Sequence, residues 1–409
     1  MQYFSKTKLI ATYGPSLENL LKLDVKNKAS KLSTQQVKEI NKLCQAGVNV
    51  IRFNMSHDSL EIHRARFTKL RQLATDSKNI LGIMIDTKGP EIRVGSIKSD
   101  ASKNVIHKNA IVKIFTNKPK HIGDGKSFNV SDVTHTYNLA NDLNTGDVIL
   151  IDDGKLVLVV KEVDPIKGVI TTVSDSTKYT IKANKRVNLF NKSYSLPFIN
   201  DYDKKTIEFA VNADADFLAL SFISNVKQLE EVKKIIQEIN PQSQLKIICK
   251  IETLEAVKNI ESLVANSDGI MVARGDLSLE IGYENVPIIQ DKILELCNQD
   301  NKICIVATQM LDSLETRLLP TRAEVTDCFY AVKSFADSTM LSSESAASDD
   351  PINAINVMKK ITNQAEKDLA KAFNFNAMFF QQKFVKKLLK KISCRTYAVS
   401  YTHLTLPTI

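Results

Sequence analysis

Short apolar runs alternate with longer amphipathic stretches along most of the chain. Eight of these runs, rich in Val and Ile, predict β-strands: KLIAT (8–12), VNVIRF (48–53), ILGIMID (80–86), FLALSF (217–222), LKIICK (245–250), GIMVAR (269–274), ICIVAT (303–308) and STMLSS (338–343). Continuously apolar strands are typical of burial on both faces, and their alternation with helices indicates a parallel sheet. Eight such units, with polar residues after nearly every strand and no G-x-G-x-x-G after the first, favour an α/β fold of the TIM (β/α)8-barrel type over an open doubly wound sheet.

The third and fourth predicted strands are separated by about 130 residues, far more than an ordinary loop. This stretch contains short alternating strands broken by turn sequences such as Asn-Thr-Gly and Asp-Asp-Gly, among them AIVKIF (110–115), DVILIDDGKLVLVVKEV (147–163) and GVITTVSD (168–175). Alternation with Gly-containing turns is typical of antiparallel hairpins. We therefore expect an all-β domain, a small barrel or sandwich, inserted after the third strand.

Length and composition narrow the class of protein. A chain of 409 residues is long enough for two or three domains, and 43% hydrophobic with 25% charged residues is typical of a globular protein. No apolar run approaches the ~20 residues that cross a bilayer, and the N-terminus lacks the pattern of a signal peptide, so we expect a cytoplasmic location. The six cysteines form no CxxC pair and are expected to be reduced core residues.

The net charge of +9 is concentrated at one end of the chain. From Lys371 onward there are seven Lys or Arg and no Asp or Glu, which leaves +2 for the first 370 residues. Within this tail, QKFVKKLLKKI (382–392) places apolar residues on one helical face and lysines on the other. The stretch is either a packed helix with a solvated lysine face or a helix that binds a membrane surface or nucleic acid.

Polar residues that follow the predicted strands are the candidates for function, because the site of a (β/α)8 barrel is built beyond the carboxyl ends of its strands. After the fifth and sixth strands come Lys250, Glu252 and Asp276. Two carboxylates from adjacent strands form an open oxygen site of the kind that Mg²⁺ prefers. A lysine beside them suits an anionic phosphate or a developing enolate. The alternative is a ring of salt bridges around the barrel rim, which explains a single residue more easily than the set.

Short oxygen-bearing side chains follow the second and third strands, namely Asn54, Ser56, Asp86 and Thr87. They either cap helices or hold a second hard cation, and their spacing does not decide between the two. His57 is either a general base or an ordinary polar contact at a helix start. Gly275, directly after Arg274, offers backbone N–H groups where a helix begins, which suits a carboxylate or a phosphate.

Taken together, seven segments resemble the motifs of the pyruvate kinase family in the family's order, and they cover most of residues 5–350: VIRFNMSH (50–57), IDTKGPEIR (85–93), ICKIET (248–253), IMVARGDLSLEI (270–281), VATQMLDSL (306–314), PTRAEVTD (320–327) and TMLSSESA (339–346). The resemblance implies a (β/α)8 catalytic barrel of residues 1–87 and 196–367. It also implies a β-barrel lid domain of residues 88–195, hinged near residues 83–93. Residues 368–409 would be the remnant of a truncated α/β C-terminal domain.

The resemblance also implies an enzyme, a phosphotransferase that moves the phosphoryl group of phosphoenolpyruvate to ADP, giving ATP and pyruvate in the last step of glycolysis. Lys250 would steady the phosphoryl group and then the enolate, Arg52 would contact the phosphoryl group, and Thr308 would help to deliver the proton. The cofactors would be Mg²⁺ on Glu252 and Asp276, and K⁺ on Asn54, Ser56, Asp86 and Thr87. Substrate would also contact Ala273, Arg274, Gly275 and Asp276, whose backbone receives its carboxylate. The nucleotide phosphates would contact Arg93 and Lys185, with His57 nearby.

Some positions depart from the family's motifs. The motif G-V-N-L-P-G, which follows Lys185, is here RVNLFN (186–191), with Arg186 in place of the first Gly. Ser224 stands where S-F-I-R-N has Arg. Glu91 agrees with family members that need K⁺, because those that do without it tend to carry Lys there, so we expect a K⁺ requirement.

Two other functions are weighed beside this one. The first is a catalytically impaired remnant of the enzyme, whose barrel folds poorly because the missing C-terminal domain leaves apolar surface exposed. In the family, that domain supplies an allosteric pocket and one interface of a homotetramer. The second is a protein that acts on nucleic acid or a membrane surface through its basic tail. We expect neither nucleic acid nor membrane as a partner, and leave the oligomeric state open.

Overall fold

The computed structural model describes residues 6–23, 33–116, 118–132, 134–193 and 195–377. Eight strands close into a parallel barrel: β1 (Lys8–Thr12), β2 (Val48–Asn54), β3 (Gly82–Asp86), β13 (Phe217–Leu220), β14 (Lys246–Ile251), β15 (Gly269–Ala273), β16 (Ile303–Ala307) and β17 (Ser338–Leu341). Each of them lies within or beside one of the eight apolar runs. The predicted (β/α)8 barrel is therefore confirmed.

Register in the barrel follows from parallel pairing of neighbouring strands. The order is β1-β17-β16-β15-β14-β13-β3-β2, so that β3 and β13 are adjacent although the inserted segment separates them in the chain. Phe217 is paired with Met84 there, and Lys8 with Ser338 where the barrel closes. All eight strands therefore end at the same rim, which brings together the polar residues that follow them.

Helices surround this barrel and connect its strands. They are α1 (Pro15–Leu21), α2 (Thr34–Ala46), α3 (Leu60–Asp76), α4 (Asp201–Asn212), α5 (Val226–Ile239), α6 (Leu254–Lys258), α7 (Ile260–Asn266), α8 (Arg274–Ile281), α9 (Val286–Asp300), α10 (Arg322–Lys333), α11 (Ser343–Ala346) and α12 (Pro351–Ala377). Local sequence explains several starts: Ser33 and Thr321 form capping boxes with Gln36 and Glu324.

The inserted segment forms a second closed barrel. Its strands are β4 (Ile92–Val94), β6 (Ile111–Phe115), β7 (Ser127–Ser131), β8 (Val148–Ile151), β9 (Leu156–Asp164), β10 (Val169–Ser174) and β12 (Arg186–Leu189), and β5 (Val105–His107) pairs separately with β11 (Lys178–Thr180). All neighbours in this barrel are antiparallel except β6 and β7. Of the two predicted forms, barrel or sandwich, the segment adopts the barrel.

Three apolar clusters hold the molecule together. One fills the parallel barrel, where Ile10, Val50 and Met271 are nearly inaccessible to solvent, and a larger one lies between its strands and helices. The third, which includes Phe128 and Leu158, fills the inserted barrel. Separate cores explain how each barrel maintains its own shape.

Four cysteines, Cys249, Cys297, Cys304 and Cys328, are buried without disulfides, as expected of reduced core residues. The predicted domain limits stay predictions, although α12 runs through the limit at residue 367. The basic helix predicted at 382–392 and nearly all of the predicted C-terminal remnant lie outside the described residues. Within the described ranges, no helix combines the length and apolar character needed to cross a membrane.

Candidate functional site

A buried network of charges occupies the rim at the ends of β2, β3 and β14. The Nε atom of Arg52 donates to Oδ2 of Asp86 at 2.6 Å, and Nζ of Lys250 lies 3.2 Å from Oδ1 of the same carboxylate. Ser221, after β13, donates to Asp86 (3.1 Å) and accepts from Lys250 (2.6 Å). Asp86 has no exposed surface. Burial works to raise its pKa, but Lys250 and Arg52 hold that pKa below its ordinary value, so this carboxylate is charged.

Glu252 completes this network on the neighbouring side. Its Oε1 lies 2.9 Å from Nζ of Lys250, and its Oε2 accepts from the backbone N–H of Phe222 at 2.7 Å. Burial raises the pKa of Glu252 to about 7, and the Asp276 carboxylate contributes to the rise against the opposing effect of Lys250. Burial also works to lower the pKa of Lys250, but Asp86 and Glu252 raise it overall. The ammonium group is therefore held charged in a site with little water.

The loops after β15 and β16 meet beside Asp276. As predicted, a helix begins at Arg274, and the N–H of Gly275 donates to Oγ1 of Thr308 at 2.8 Å. The Thr308 hydroxyl donates in turn to the carbonyl of Ala307 (2.6 Å). Thr308 has φ of +67°, an outlier for a β-branched residue. Such strain persists only where the surroundings fix it, and it clusters at functional sites.

Arg274 does not point its charge into the rim. Its guanidinium donates to the carbonyl of Thr308 at 2.8 Å and pairs with Asp327 at 2.7 Å. The side chain therefore supports the loop after β16, and Ala273 lies buried at the end of β15. Of the four positions predicted to contact substrate here, Asp276 has a side chain close enough to the rim for its charge to act on Glu252.

The four residues predicted to hold K⁺ lie on neighbouring strand ends. Oδ1 of Asn54 accepts from the N–H of Ser56 at 3.1 Å, and Oγ1 of Thr87 accepts from the N–H of Ser221 at 3.0 Å. Asp86 is the buried anion already described. The helices that follow, α3 and α4, are capped by Ser59 and Asn200, which does not fit the capping interpretation. The location of all four oxygen-bearing side chains at neighbouring strand ends fits the cation interpretation.

The predicted nucleotide contacts lie at the edge of the rim and on the inserted barrel. Arg93 donates to both oxygens of Glu91, at 2.9 and 3.0 Å, and Nζ of Lys185 donates to Oδ1 of Asp152 at 2.6 Å. His57 is exposed after β2. The structure thus gathers Arg52, Lys250, Glu252, Asp86 and Asp276 at one place, and leaves His57, Arg93 and Lys185 around it.

Two site residues were not identified from the sequence as such. Ser221 was one of many polar residues at strand ends, and only the fold shows that it joins Asp86 to Lys250. Arg186 was noted only as a departure from the Gly of a motif. In the structure its guanidinium pairs with Asp276 and lies 3.4 Å from Glu91. For Arg186, the signal available in the sequence was a charged residue at a motif position where the family has Gly.

Carboxylates and cations balance each other at this rim. Among the residues that the structure describes, no group of three or more His, Cys, Asp or Glu side chains is placed to hold a metal ion. Within these described residues the protein builds no metal cage of its own, and the pair Glu252 and Asp276 would be a partial ligand set that leaves positions for other oxygens. The fold and this rim define a (β/α)8-barrel enzyme that handles an anionic substrate.

Comparison with known proteins gives the family. Residues 4–355 match the protein family described as "Pyruvate kinase, barrel domain". The pyruvate kinase of Mycoplasma genitalium is 40% identical over 379 residues, 92% of this chain and 74% of that protein, and the pyruvate kinase of Mycoplasma pneumoniae is 39% identical with the same coverage. A crystal structure of a pyruvate kinase from Cryptosporidium parvum matches with a TM-score of 0.79 and 33% identity, covering 92% of this chain and 73% of that one. The chain belongs to the pyruvate kinase family.

The predicted enzyme class and reaction are confirmed by this membership. The chain is a phosphotransferase of glycolysis, and its family uses phosphoenolpyruvate and ADP as substrates. The family uses a divalent metal, and many of its members also use K⁺. The alternative of a catalytically impaired remnant is not favoured by matches that extend over most of the chain.

Proposed function

We propose that the phosphoryl group passes from phosphoenolpyruvate to ADP at the rim formed by Arg52, Lys250, Glu252 and Asp276. The observation that supports this most is the Lys250 ammonium, 7% exposed and held by Asp86, Glu252 and Ser221. Stability alone gives little reason to bury this many charges in one place, because each carries a desolvation penalty. Phosphoryl transfer instead demands fixed charges around the moving group.

Glu252 and Asp276 would hold the divalent cation, Mg²⁺. Their fit rests on the donor set: two carboxylates on adjacent strand ends, with the pKa of Glu252 raised to about 7 by burial and by the nearby Asp276 charge. A bound cation relieves this repulsion, since it favours both carboxylates in their charged form. When bound, Mg²⁺ supplies charge compensation to the phosphoryl oxygens.

Lys250 and Arg52 would act on the reacting group itself. In the transfer, the bond between phosphorus and the enol oxygen breaks, and an oxygen of the ADP β-phosphate forms a new bond to phosphorus. Negative charge then remains on the enolate of pyruvate. Lys250 stabilises this charge, because its pKa is raised and its position is fixed by three partners. Arg52 is anchored by Asp86 and by Oγ1 of Thr12 at 3.0 Å, which orients it towards the phosphoryl group.

Thr308 would participate in protonation of the enolate. Its hydroxyl lies in the loop beside Gly275, where the start of α8 would receive the substrate carboxylate. The bond between these two residues couples the carboxylate-binding loop to the protonation step. The unusual backbone conformation of Thr308 fixes its hydroxyl between Gly275 and Ala307.

Asn54, Ser56, Asp86 and Thr87 would hold K⁺. Asp86 provides the anionic oxygen, and the other three provide neutral oxygens on adjoining strand ends. Glu91 supports a K⁺ requirement, since it puts a carboxylate where K⁺-independent members of the family tend to have an ammonium group. His57, Arg93 and Lys185 would contact the nucleotide phosphates. The location would be the cytoplasm, where these substrates are used.

The test is pyruvate formation from phosphoenolpyruvate and ADP by the purified chain, with Mg²⁺ and either K⁺ or Na⁺. We expect activity with K⁺ and a fall of about tenfold or more in Na⁺ alone. Full activity in Na⁺ would disprove the K⁺ requirement, but the assignment of the reaction would still stand. A folded protein that forms no pyruvate under either condition would contradict the proposed site.

A further inference from the structure

One arginine of the inserted barrel reaches the carboxylates of the parallel barrel. Arg186 is the first residue of β12, and its Nη1 donates to Oδ1 of Asp276 in α8. Its Nη2 lies 3.4 Å from Oε1 of Glu91, in the segment that joins the two barrels. A second link, at 2.7 Å, runs from the N–H of Asn191 to the carbonyl of Glu280. Arg186 thus carries an ion pair across the junction of the barrels.

The surroundings of Arg186 hold its guanidinium in one place. The Cζ atom lies 4.5 Å from the centroid of the Phe222 ring, within the range of a cation–π contact. An arginine guanidinium keeps its proton in proteins. The group is therefore a permanent positive charge beside the carboxylate pair Glu252 and Asp276.

Arg186 and Ser224 line the same cavity, which has a volume of ≈ 130 Å³. Both are positions where the sequence departs from the family motifs, with Arg in place of Gly at 186 and Ser in place of Arg at 224. The guanidinium beside this cavity therefore comes from the inserted barrel and not from the loop after β13. In this chain, the charge is therefore part of the inserted barrel.

Asp276 is also one of the two ligands proposed for the divalent cation, so this inference rests on the proposed function. A guanidinium and a divalent cation on one carboxylate repel each other. We propose that Arg186 is a positioning residue that holds the inserted barrel against Asp276 while no divalent cation is bound, and that it gives up this contact when the cation binds. Cation binding and placement of the inserted barrel are then coupled, and the coupling is reciprocal.

Direct Mn²⁺ binding to the full chain, measured by electron paramagnetic resonance without substrates, tests the competition. Arg186→Gln removes the charge at similar size, and we expect it to bind Mn²⁺ about tenfold more tightly than wild type. Arg186→Lys keeps the charge and is expected to remain within about threefold of wild type. If Arg186 only supported the structure, Arg186→Gln would bind Mn²⁺ more weakly than wild type or equally tightly. Either result overturns the proposal.

Hydrogen exchange of the amides at 184–191 tests the link to the inserted barrel. We expect Mn²⁺ to raise exchange there in wild type, because the cation releases Arg186 from Asp276. In Arg186→Gln, exchange is expected to be high already and not to rise further with Mn²⁺. A fall in exchange of equal size in both proteins overturns the coupling.

Two control variants separate the possible failures. Lys98→Gln breaks an ion pair within the inserted barrel, 2.7 Å from Lys98 to Asp124, and should leave Mn²⁺ affinity within about twofold of wild type. A tenfold gain in Lys98→Gln would attribute the effect to lost charge in general and overturn the proposal. Glu252→Gln should weaken Mn²⁺ binding. If Glu252→Gln binds Mn²⁺ as tightly as wild type, the proposed cation site is wrong. If Glu252→Gln binds Mn²⁺ more weakly and Arg186→Gln binds it as wild type does, the cation site stands and only the inference about Arg186 is refuted.

Discussion

The rim of the parallel barrel and the inserted barrel supply charges to the site in different ways. At the rim, Asp86, Lys250 and Glu252 are almost fully buried and pair with one another through contacts within the same barrel. On the inserted barrel, Lys185 is about one third exposed and pairs with Asp152 of that barrel. The rim groups are therefore positioned within one barrel, whereas the distance of the Lys185 ammonium from the rim depends on how the inserted barrel is placed on the parallel barrel.

This difference indicates a division of labour. Buried, mutually fixed charges suit the reacting centre, because a low-dielectric site strengthens them and they need no reorganisation during reaction. Half-exposed lysine and arginine side chains suit a ligand that must enter and leave, such as a nucleotide. Changes at the rim should then alter the chemical step, and changes on the inserted barrel should alter nucleotide binding.

The largest effect is expected from Lys250→Met at the rim. Removal of the ammonium group should lower kcat by about a thousandfold, because the enolate loses its fixed positive partner. Binding of ADP, measured by calorimetry or fluorescence, should remain close to wild type, since the residues proposed to contact the nucleotide lie elsewhere. A loss of ADP affinity as large as the loss of rate would break the distinction between the two regions.

A smaller effect is expected from Lys185→Met on the inserted barrel. The KM for ADP should rise about tenfold while kcat at saturating ADP changes by less than about threefold, because this contact binds the nucleotide equally before and during transfer. Steady-state kinetics with ADP varied at saturating phosphoenolpyruvate measures both quantities. The control is Lys155→Met, since Lys155 is an exposed neighbour of Asp152 in the same barrel, 3.6 Å from that carboxylate. A fall in kcat with an unchanged KM would place Lys185 with the rim groups.

An effect on stability, with no demand on turnover, is expected where the two regions join, at Asp203 in the first turn of α4. Its Oδ1 accepts from the N–H of Gly89 at 3.2 Å, in the segment that leads to the inserted barrel. Burial raises the pKa of Asp203 to about 6. The folded chain therefore binds this proton more tightly than the unfolded chain, and the contribution of Asp203 to the free energy of unfolding falls as the pH rises to about 6.

Asp203→Asn removes this dependence and keeps an acceptor for Gly89. At pH 8 the variant should be more stable than wild type by about 2 to 3 kcal/mol, and the difference should shrink at pH 5. Thermal unfolding at both values measures it. A variant that is less stable at pH 8 would show that the bonds to the carboxylate outweigh the cost of burying its charge.

Much of the fold and of the rim could be predicted from the sequence. The eight apolar runs predicted the parallel strands, and strand ends in such a barrel meet at one rim, so Lys250, Glu252 and Asp276 could be grouped before any distance was known. Spacing could not decide the role of Asn54 and Thr87, because short polar side chains cap helices as readily as they bind cations. The bond of Asn54 to Ser56 is local, whereas the bond of Thr87 to Ser221, which lies 134 residues further along the chain, depends on the fold.

The sequence by itself determined the parallel barrel, the presence of an inserted all-β segment, the family and the reaction, because hydrophobic periodicity and ordered motifs are local properties of the chain. Only the tertiary structure decided that Ser221 joins Asp86 to Lys250, and that Arg186 pairs with Asp276 from the other barrel. Arg186 and Asp276 lie far apart in the chain, and no periodicity connects them. Their contact arises from the way one barrel is placed on the other, which is a property of packing and not of pattern.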